Sequence, residues 1–326
     1  RERAIVPRLR RPRLRAPGGV SFPESRLPDT HRRGVAYALC AYALWGLFPL
    51  YFKAVASLPA MDILAHRVLW SLGFVAVLVS WRIGWRWLPP VLSDRRVLKV
   101  FALSTLMVFL NWAIYIWAVA RGRVVDASLG YFMNPLVNVL LGWLVLHERL
   151  RPVQWVSVLM AAGGVVWLTW IAGAPPWIGL SLAAAFGLYG LLRKTASLGA
   201  WEGFSLETLF MLPFALLYLG WFAARGEATY PGLPLTMQLL IIASGPVTAL
   251  PLLFFAAAAR RIPLSTLGLI QYLGPSVQLL LAIFLFGEPF GGAKALGFAA
   301  IWAALVIYTG DMLWRGWRAG RAPTKV

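Results

Sequence analysis

The sequence has few charged residues and almost no cysteine. Only 13% of its 326 residues are charged, against roughly 25% in soluble domains. Stretches such as 68–81 and 100–111 are uncharged around the whole helix circumference, so they lack the polar face that a helix in water needs. Lipid is the solvent that such stretches require. The single cysteine, Cys40, excludes an internal disulfide and a cysteine-based metal site.

The sequence also lacks the motifs of common enzyme classes. It has no metal-ligand spacing and no nucleotide-binding loop, and its acidic residues do not cluster as a general acid/base pair. Without a Walker A motif, ATP bound to this chain cannot drive transport. We therefore predict no enzymatic activity and no cofactor.

Apolar residues make up 60% of the chain and fall into ten separate runs. A helix of about 20 residues, rising 1.5 Å per residue, spans the roughly 30 Å hydrocarbon core of a bilayer. Several of the 17 tryptophans lie where apolar runs meet arginines, which is typical of the membrane interface. The predicted transmembrane helices cover residues 34–52, 62–81, 98–119, 127–147, 153–171, 176–193, 204–222, 236–258, 265–286 and 294–314.

Positive charge is concentrated in the tails and in alternate loops. The net charge of +19 is not gathered in a folded basic domain, so we predict no nucleic-acid partner. Residues 1–33 hold ten arginines without apolar periodicity, which predicts a disordered tail near anionic lipid. Between the predicted helices, the side that carries the termini holds eleven Lys and Arg and the other side five. This bias predicts that both termini, including a tail at 315–326, lie in the cytoplasm.

An internal repeat divides the ten predicted helices into two halves of five. Residues 127–130 match residues 265–268, and Glu148 matches Glu288 at nearly the same offset. Because five is odd, the second copy must be inserted upside down relative to the first. We therefore predict an all-α membrane fold of two inverted five-helix repeats. The predicted repeats are residues 34–171 and 172–314.

Three stretches give the chain a specific resemblance to a known family. Residues 65–71, residues 127–138 with their SLGYF and NPLVN runs, and residues 265–275 are similar to the RarD branch of the EamA family, within the drug/metabolite transporter superfamily. The resemblance extends from about residue 33 to residue 314. It implies a ten-helix, two-domain carrier of the bacterial inner (cytoplasmic) membrane that exports small metabolites or drugs. The family label also carries an association with chloramphenicol sensitivity.

Polar side chains inside the predicted helices are the candidates for transport, because hydrocarbon disfavours them unless they find a partner or face a cavity. His66 and Arg67 lie near the outer end of predicted helix 2, with Trp70 one turn further on. They either face inward as substrate contacts or, for Arg67, snorkel to the interface. Glu207 lies near the inner end of predicted helix 7, too far in depth for an ion pair with them. Glu207 or His66 could titrate and couple transport to protons.

Further polar residues share helix faces. Asn111 and Tyr115 are one turn apart on predicted helix 3, with Trp112 beside Asn111. Stripes with amide side chains occupy related positions on helices 4 and 9, where Pro135 and Pro275 free backbone carbonyls. The stripes either line a central cavity from opposite sides or only hold the helices together by hydrogen bonds. The stripes are Tyr131, Asn134 and Asn138 on helix 4, and Gln271, Pro275 and Gln278 on helix 9, and Tyr272 next to Gln271 is a further candidate.

These features predict a secondary transporter that exports a small solute by alternating access, with its substrate site between the two repeats. A non-transporting membrane scaffold or sensor, and a channel-like pore, are the alternatives. The predicted partners are a small-molecule substrate and membrane lipid, and a homodimer is left open. Nothing in the sequence identifies the substrate or a coupling ion.

Overall fold

The computed structural model describes residues 26–121, 124–173, 177–287 and 291–319. Within these ranges all regular secondary structure is helical, as thirteen α-helices and a 3-10 turn at Tyr230–Gly232. The helices are α1 (Arg26–Gly46), α2 (Phe48–Ala54), α3 (Ala60–Arg82), α4 (Leu88–Ser93), α5 (Arg95–Ala120), α6 (Val124–Leu144), α7 (Pro152–Ala172), α8 (Trp177–Thr195), α9 (Ala200–Ala224), α10 (Leu235–Ala259), α11 (Leu264–Gln271), α12 (Leu273–Phe284) and α13 (Gly292–Ala319).

Ten membrane crossings follow from helix length and packing. Eight described segments are long and apolar enough to cross a bilayer, with α1–α2 and α11–α12 each counting as one crossing. The other two crossings are α6 and α8, of 21 and 19 residues, which pack against each other inside the bundle. At 1.5 Å per residue each is about 30 Å long. The prediction of ten transmembrane helices is confirmed, while the short helix α4 was not predicted.

The first helix begins earlier than predicted. α1 starts at Arg26, so residues 26–33, which we expected to belong to a disordered tail, are helical. Asp29 and Arg33, one turn apart, form an ion pair of 2.8 Å that favours helix here. At the other end, α13 continues to Ala319 rather than ending at 314. The remainder of the predicted tails lies outside the described residues.

Two crossings are interrupted near a proline. Leu47 separates α1 from α2, whose first turn contains Pro49. Tyr272 separates α11 from α12, whose third residue is Pro275. Proline has no N–H to donate, so a helix that contains it loses one backbone hydrogen bond and bends easily. Both interruptions lie next to the central cavity described below.

Successive crossings alternate in direction, which places both ends of the described chain on one side of the bundle. We call this the terminal side and the other the opposite side. The terminal side carries the segment 83–94, which contains α4, and the loops at residues 145–151, 196–199 and 260–263. The opposite side carries, among others, the loops at residues 55–59 and 225–234.

The helices pair as an inverted repeat requires. Each crossing of the first half should correspond to the crossing five places later, so every pairing should occur with a symmetry mate. The contact of α1 with α10 has its symmetry mate in the contact of α8 with α5. The contact of α3 with α10 has its symmetry mate in the contact of α9 with α5. The contact of α1 with α12 likewise has its symmetry mate in the contact of α8 with α6. Three further contacts each join a crossing to its own equivalent in the other repeat, namely α3 with α9, α6 with α11 and α7 with α13. The inverted five-helix repeat is therefore confirmed.

These pairings interleave the two sequence halves. α1 of the first half packs with α10, α11 and α12 of the second, and we call these four helices bundle A. α8 of the second half packs with α5 and α6 of the first, and we call these three helices bundle B. The two bundles are symmetry mates. Each contains helices from both repeats, so neither sequence half is a separate packing unit.

Gly164 allows α7 and α13 to cross at close range. A Cβ atom on Gly164 would lie 2.8 Å from the carbonyl oxygen of Gly297, whereas a Cβ atom on Gly163 would meet nothing within 4 Å. We expect Gly164→Ala to lower the free energy of unfolding by about 1–3 kcal/mol, because the two backbones must move apart. Thermal unfolding in detergent measures this. Gly163→Ala is the matched control and should be neutral or slightly stabilising; equal losses for both variants contradict the close crossing.

Candidate functional site

A cavity of about 530 Å³ lies between bundle A and bundle B. Cavities that hold small organic ligands typically measure about 300–1,000 Å³. This central cavity is also lined by α2 and α3, and it reaches Ala56 and Leu58 in the loop on the opposite side. It therefore opens away from the terminal side.

Eight of the predicted site residues line the central cavity. They stand on α3, α5, α6, α11 and α12, and so come from both repeats. The structure brings them together around one space, while their role in binding substrate stays a prediction. The eight are Arg67, Asn111, Trp112, Tyr115, Tyr131, Asn134, Gln271 and Gln278.

Arg67 is the only charged side chain among the described residues that line this cavity. Its Nε donates a hydrogen bond of 2.9 Å to Oγ1 of Thr248 on α10. Its guanidinium carbon lies 5.0 Å from the ring centroid of Trp112 and 5.6 Å from that of Phe52. Arg67 therefore points into the protein and does not snorkel towards lipid.

Polar atoms around the cavity are only partly satisfied. Nδ2 of Asn111 donates to a backbone carbonyl of α8 at 3.0 Å, and Nε2 of Gln278 donates to a backbone carbonyl of α1 at 3.0 Å. Oδ1 of Asn134 and the hydroxyl of Tyr42 are buried and find no hydrogen-bond partner among the described residues. A buried polar atom left unpaired costs about 1–3 kcal/mol, so these two atoms are candidates for contact with a ligand.

Two backbone carbonyls are also freed at the cavity. Pro135 and Pro275 cannot donate to the carbonyls four residues earlier, which belong to Tyr131 and Gln271. Both of these residues line the cavity. Irregular backbone inside a membrane is tolerated where it lines such a space. Each of these prolines therefore removes one backbone hydrogen bond next to the cavity.

Three predicted residues lie outside the cavity walls and hold helices together instead. Nδ2 of Asn138 donates to Oε1 of Gln271 at 2.8 Å, which joins α6 to α11. The hydroxyl of Tyr272 donates to a backbone carbonyl of α6 at 3.2 Å. The backbone of Trp70 lies against Gly245 of α10. Asn138 thus makes an interhelical hydrogen bond of the kind that the helix-holding alternative describes, while roles of Tyr272 and Trp70 in binding substrate stay predictions.

His66 lies near the opposite side and not in the central cavity. Its ring centroid is 4.9 Å from that of Tyr230, in the loop after α9. One turn before it, the carboxylate of Asp62 accepts hydrogen bonds from the hydroxyls of Tyr218 at 2.7 Å and Thr229 at 2.6 Å. These contacts tie α3 to α9. Within the described residues, no group of three or more His, Cys, Asp or Glu side chains could hold a metal ion.

Glu207 lies in a buried polar cluster between α5, α8 and α9. One carboxylate oxygen is 3.7 Å from the guanidinium of Arg193, which is 1% exposed. The carboxylate also accepts hydrogen bonds from Ser104 at 2.6 Å and Tyr189 at 3.3 Å. Glu207 and Arg67 both line a small void of about 10 Å³ and form no ion pair with each other. The expectation that these two residues do not pair therefore agrees with the structure.

Below the cavity, the terminal side is closed by contacts between the bundles. Glu148, in the loop after α6, accepts hydrogen bonds from the backbone N–H groups of Leu264 and Ser265, at 2.7 and 2.9 Å, and from the Ser265 hydroxyl at 2.6 Å. Lys194 of α8 donates to the carbonyl of Ala259 at the end of α10, at 3.1 Å, and to that of Ile262 in the following loop, at 2.6 Å, and it lies 4.0 Å from Glu148. We call Glu148, Lys194 and the first turn of α11 the latch.

Several residues of the cavity were not predicted, because aromatic residues in an apolar helix look alike whether they face lipid or a cavity. One of them, Thr248, has a physical signal, since an arginine inside a membrane needs a hydrogen-bond partner. Choosing that partner among many hydroxyl groups requires the fold. The unpredicted residues include Tyr42, Trp45, Phe48, Phe52, Phe186 and Thr248.

Known proteins resemble this chain over most of its length. The sequence profile of the EamA-like transporter family matches residues 32–170. A protein of Vibrio cholerae described as an uncharacterized transporter is 45% identical over 291 residues, which cover 89% of this chain and 96% of the relative. Protein RarD of Escherichia coli is 43% identical over 283 residues, covering 87% and 96%. A chloramphenicol-sensitive protein RarD of Pseudomonas aeruginosa is 32% identical over 295 residues, covering 89% and 95%.

A solved structure shares the fold at low sequence similarity. This crystal structure aligns with a TM-score of 0.65 and 20% sequence identity, over 86% of this chain and 98% of the other. At that identity the likeness concerns the fold alone.

Proposed function

This chain belongs to the RarD branch of the EamA-like transporter family, and from that premise we propose that it exports a small solute by alternating access, as a secondary transporter. It is a multi-pass transporter of a bacterial membrane, and its substrate is a small molecule. The proposal concerns how the substrate moves and in which direction. The observation that carries it is a cavity open to one side and closed by the latch on the other.

Alternating access requires two gates that open in turn around one site. The cavity reaches the loop at 55–59 on the opposite side. Towards the terminal side, the Asn138–Gln271 hydrogen bond and the latch join bundle A to bundle B. Separating these contacts while the bundles close on the opposite side would turn the cavity towards the terminal side. A continuous pore is disfavoured because the described contacts close one end.

The moving units differ from those expected. A substrate site between the two repeats, as we predicted, would make the sequence halves the moving units, but the contacts interleave these halves. Bundle A and bundle B meet at the cavity and are symmetry mates, so a rocking motion between them gives equivalent inward-open and outward-open forms. We propose that these mixed bundles, and not the sequence halves, move relative to each other.

The direction of transport rests on orientation. With the predicted cytoplasmic termini, the present cavity faces the cell exterior and the latch is the cytoplasmic gate. Export follows from the family resemblance, and proton coupling through Glu207 or His66 stays a prediction. Neither residue lines the central cavity, and Glu207 faces the cationic Arg193.

The accessibility of one cavity position tests this proposal without a known substrate. Val108 on α5 lines the cavity and is 3% exposed, whereas Leu106 on the same helix is 46% exposed on the outer surface of the bundle. We expect Val108→Cys, in a Cys40→Ser background, to react with a membrane-impermeant thiol reagent added from the opposite side. The reaction should be much slower from the terminal side, because the latch closes that route.

Leu106→Cys is the matched control and should resist the reagent from both sides, since it faces lipid. Labelling of intact cells and of inside-out vesicles, followed by mass spectrometry, measures the two rates. Equal labelling of Val108→Cys from both sides would indicate a pore, and labelling from neither side would show that no water-filled route reaches the cavity. Both outcomes contradict the proposal.

A further inference from the structure

The charge on the walls of the central cavity determines whether it favours an anionic or a cationic ligand. Arg67 is the only charged side chain among the described residues on its walls, and none of the described carboxylates pairs with it. Its Nε is bonded to Thr248, while its terminal nitrogens form no hydrogen bond with the described residues. A cation held without a counterion inside a membrane protein is unfavourable. An anionic ligand that reaches these nitrogens removes that cost.

The uncharged walls of the cavity determine which chemical groups the rest of the ligand can carry. Aromatic rings surround the space, among them Trp45, Trp112 and Phe186. Trp112 also stacks against the Arg67 guanidinium, which fixes the cation beside an aromatic wall. Aromatic side chains contribute large apolar area and favour ring-to-ring contact. A ligand that fills this cavity therefore has an apolar or aromatic body next to its charged group.

Unpaired polar atoms add to this selection. The buried hydroxyl of Tyr42 has no partner in the part of the chain that the structure describes, and it can donate a hydrogen bond to an anionic oxygen. The described cavity walls offer no carboxylate to an ammonium group. An organic cation or a free amine would leave its charge uncompensated, and Arg67 would repel it. A neutral ring compound would fit the walls but would leave the terminal nitrogens of Arg67 without an anionic partner among the described residues.

We infer that the substrate is a small organic anion, a carboxylate joined to an apolar or aromatic ring, whose carboxylate binds the terminal nitrogens of Arg67 while the ring packs against Trp112. This inference rests on the proposed function, since it names the class of solute that the transporter carries. It concerns the same cavity, and it makes Arg67 the residue that determines charge selectivity.

Three compounds that share a ring and differ in charge test the inference. The probes are phenylacetate, phenylacetamide and phenethylamine, each titrated at millimolar concentration into the purified full-length protein in nanodiscs. Quenching of tryptophan fluorescence reports occupancy of the cavity, and thermal unfolding gives an independent measure of binding. We expect phenylacetate to bind about 10- to 100-fold more tightly than phenylacetamide, as for a charge-assisted hydrogen bond. Phenethylamine should bind most weakly.

Variants at Arg67 separate charge recognition from folding. In Arg67→Gln the preference for phenylacetate over phenylacetamide should fall to about one, while phenylacetamide binding persists and shows that the cavity is intact. Arg67→Lys should retain part of the preference, because lysine keeps the positive charge but cannot bind a carboxylate in the bidentate geometry of the planar guanidinium. Arg121→Gln is the control, since Arg121 is exposed and does not line the cavity. It should leave all three affinities unchanged.

Tighter binding of the amide or the amine, or a preference for phenylacetate that survives in Arg67→Gln, overturns the inference. Failure of all three probes to bind the wild-type protein overturns it as well. The proposed transport mechanism is tested separately by labelling of Val108→Cys, which needs no ligand. If that labelling is confined to the opposite side while no anion is preferred, the mechanism stands and the substrate class is wrong.

Discussion

Glu207→Gln is expected to lower the free energy of unfolding by about 3–5 kcal/mol, because it leaves the buried guanidinium of Arg193 without a counterion. Arg193 is 1% exposed and Glu207 3%, so water cannot replace the lost charge. Thermal unfolding of the purified protein in detergent measures the effect. Glu202→Gln, in the first turn of the same helix α9, is the matched control and should change stability by less than about 0.5 kcal/mol.

A double variant separates the missing counterion from other effects of the substitution. Replacing both charges, as in Glu207→Gln combined with Arg193→Met, should recover part of the lost stability, because no unpaired charge remains. If Glu207→Gln alone unfolds like the wild type, Glu207 is neutral in the folded protein. That result would revive its predicted role as a proton carrier.

Glu148→Ala is expected to weaken the gate on the terminal side by roughly 100-fold. The substitution removes the acceptor of two backbone N–H groups at the start of α11 and of the Ser265 hydroxyl. It also leaves Lys194 without its nearest carboxylate. A lost helix cap costs about 1–2 kcal/mol and hydrogen bonds to a charged group about 1.5–3 kcal/mol, so about 3 kcal/mol in total is reasonable.

The measurement is the labelling rate of Val108→Cys from the terminal side, in the presence and absence of Glu148→Ala. An increase of about 100-fold corresponds to that free energy, since each 1.4 kcal/mol is a factor of ten. Arg149→Gln changes an exposed neighbour and should leave the rate unchanged. An unchanged rate in Glu148→Ala would show that the latch does not determine which side is open.

The transmembrane fold could be predicted from the sequence because each helix in a bilayer must be long and apolar by itself. The match between residues 127–130 and 265–268 then required two inverted copies. Which helices touch could not be predicted, because apolar surfaces facing lipid and facing protein have the same composition. The pairing of α1 with α10 therefore appeared only in the structure.

The candidate site, too, could be predicted from the sequence only in part. Arg67 and Asn134 could be proposed because polar groups are rare in membrane helices, and both line the cavity. Asn138, one turn from Asn134, instead bonds Gln271, and sequence alone could not separate the two roles. Arg193 and Lys194 were not among the predicted site residues. Their partners, Glu207 on α9 and the carbonyls of Ala259 and Ile262, are distant in sequence, so the fold was needed to find them.

The interleaving of the two repeats has a consequence for biosynthesis. α1 ends about 190 residues before α10, its main partner, begins. At a synthesis rate of about 5–20 residues per second, α1 waits roughly 10–40 s in the bilayer before that partner leaves the ribosome. Early helices must therefore remain inserted and unaggregated as single segments, and the bundle can close only late in translation. A chain cut between α7 and α8 would yield two fragments with complementary faces, neither able to complete a bundle until the other is made.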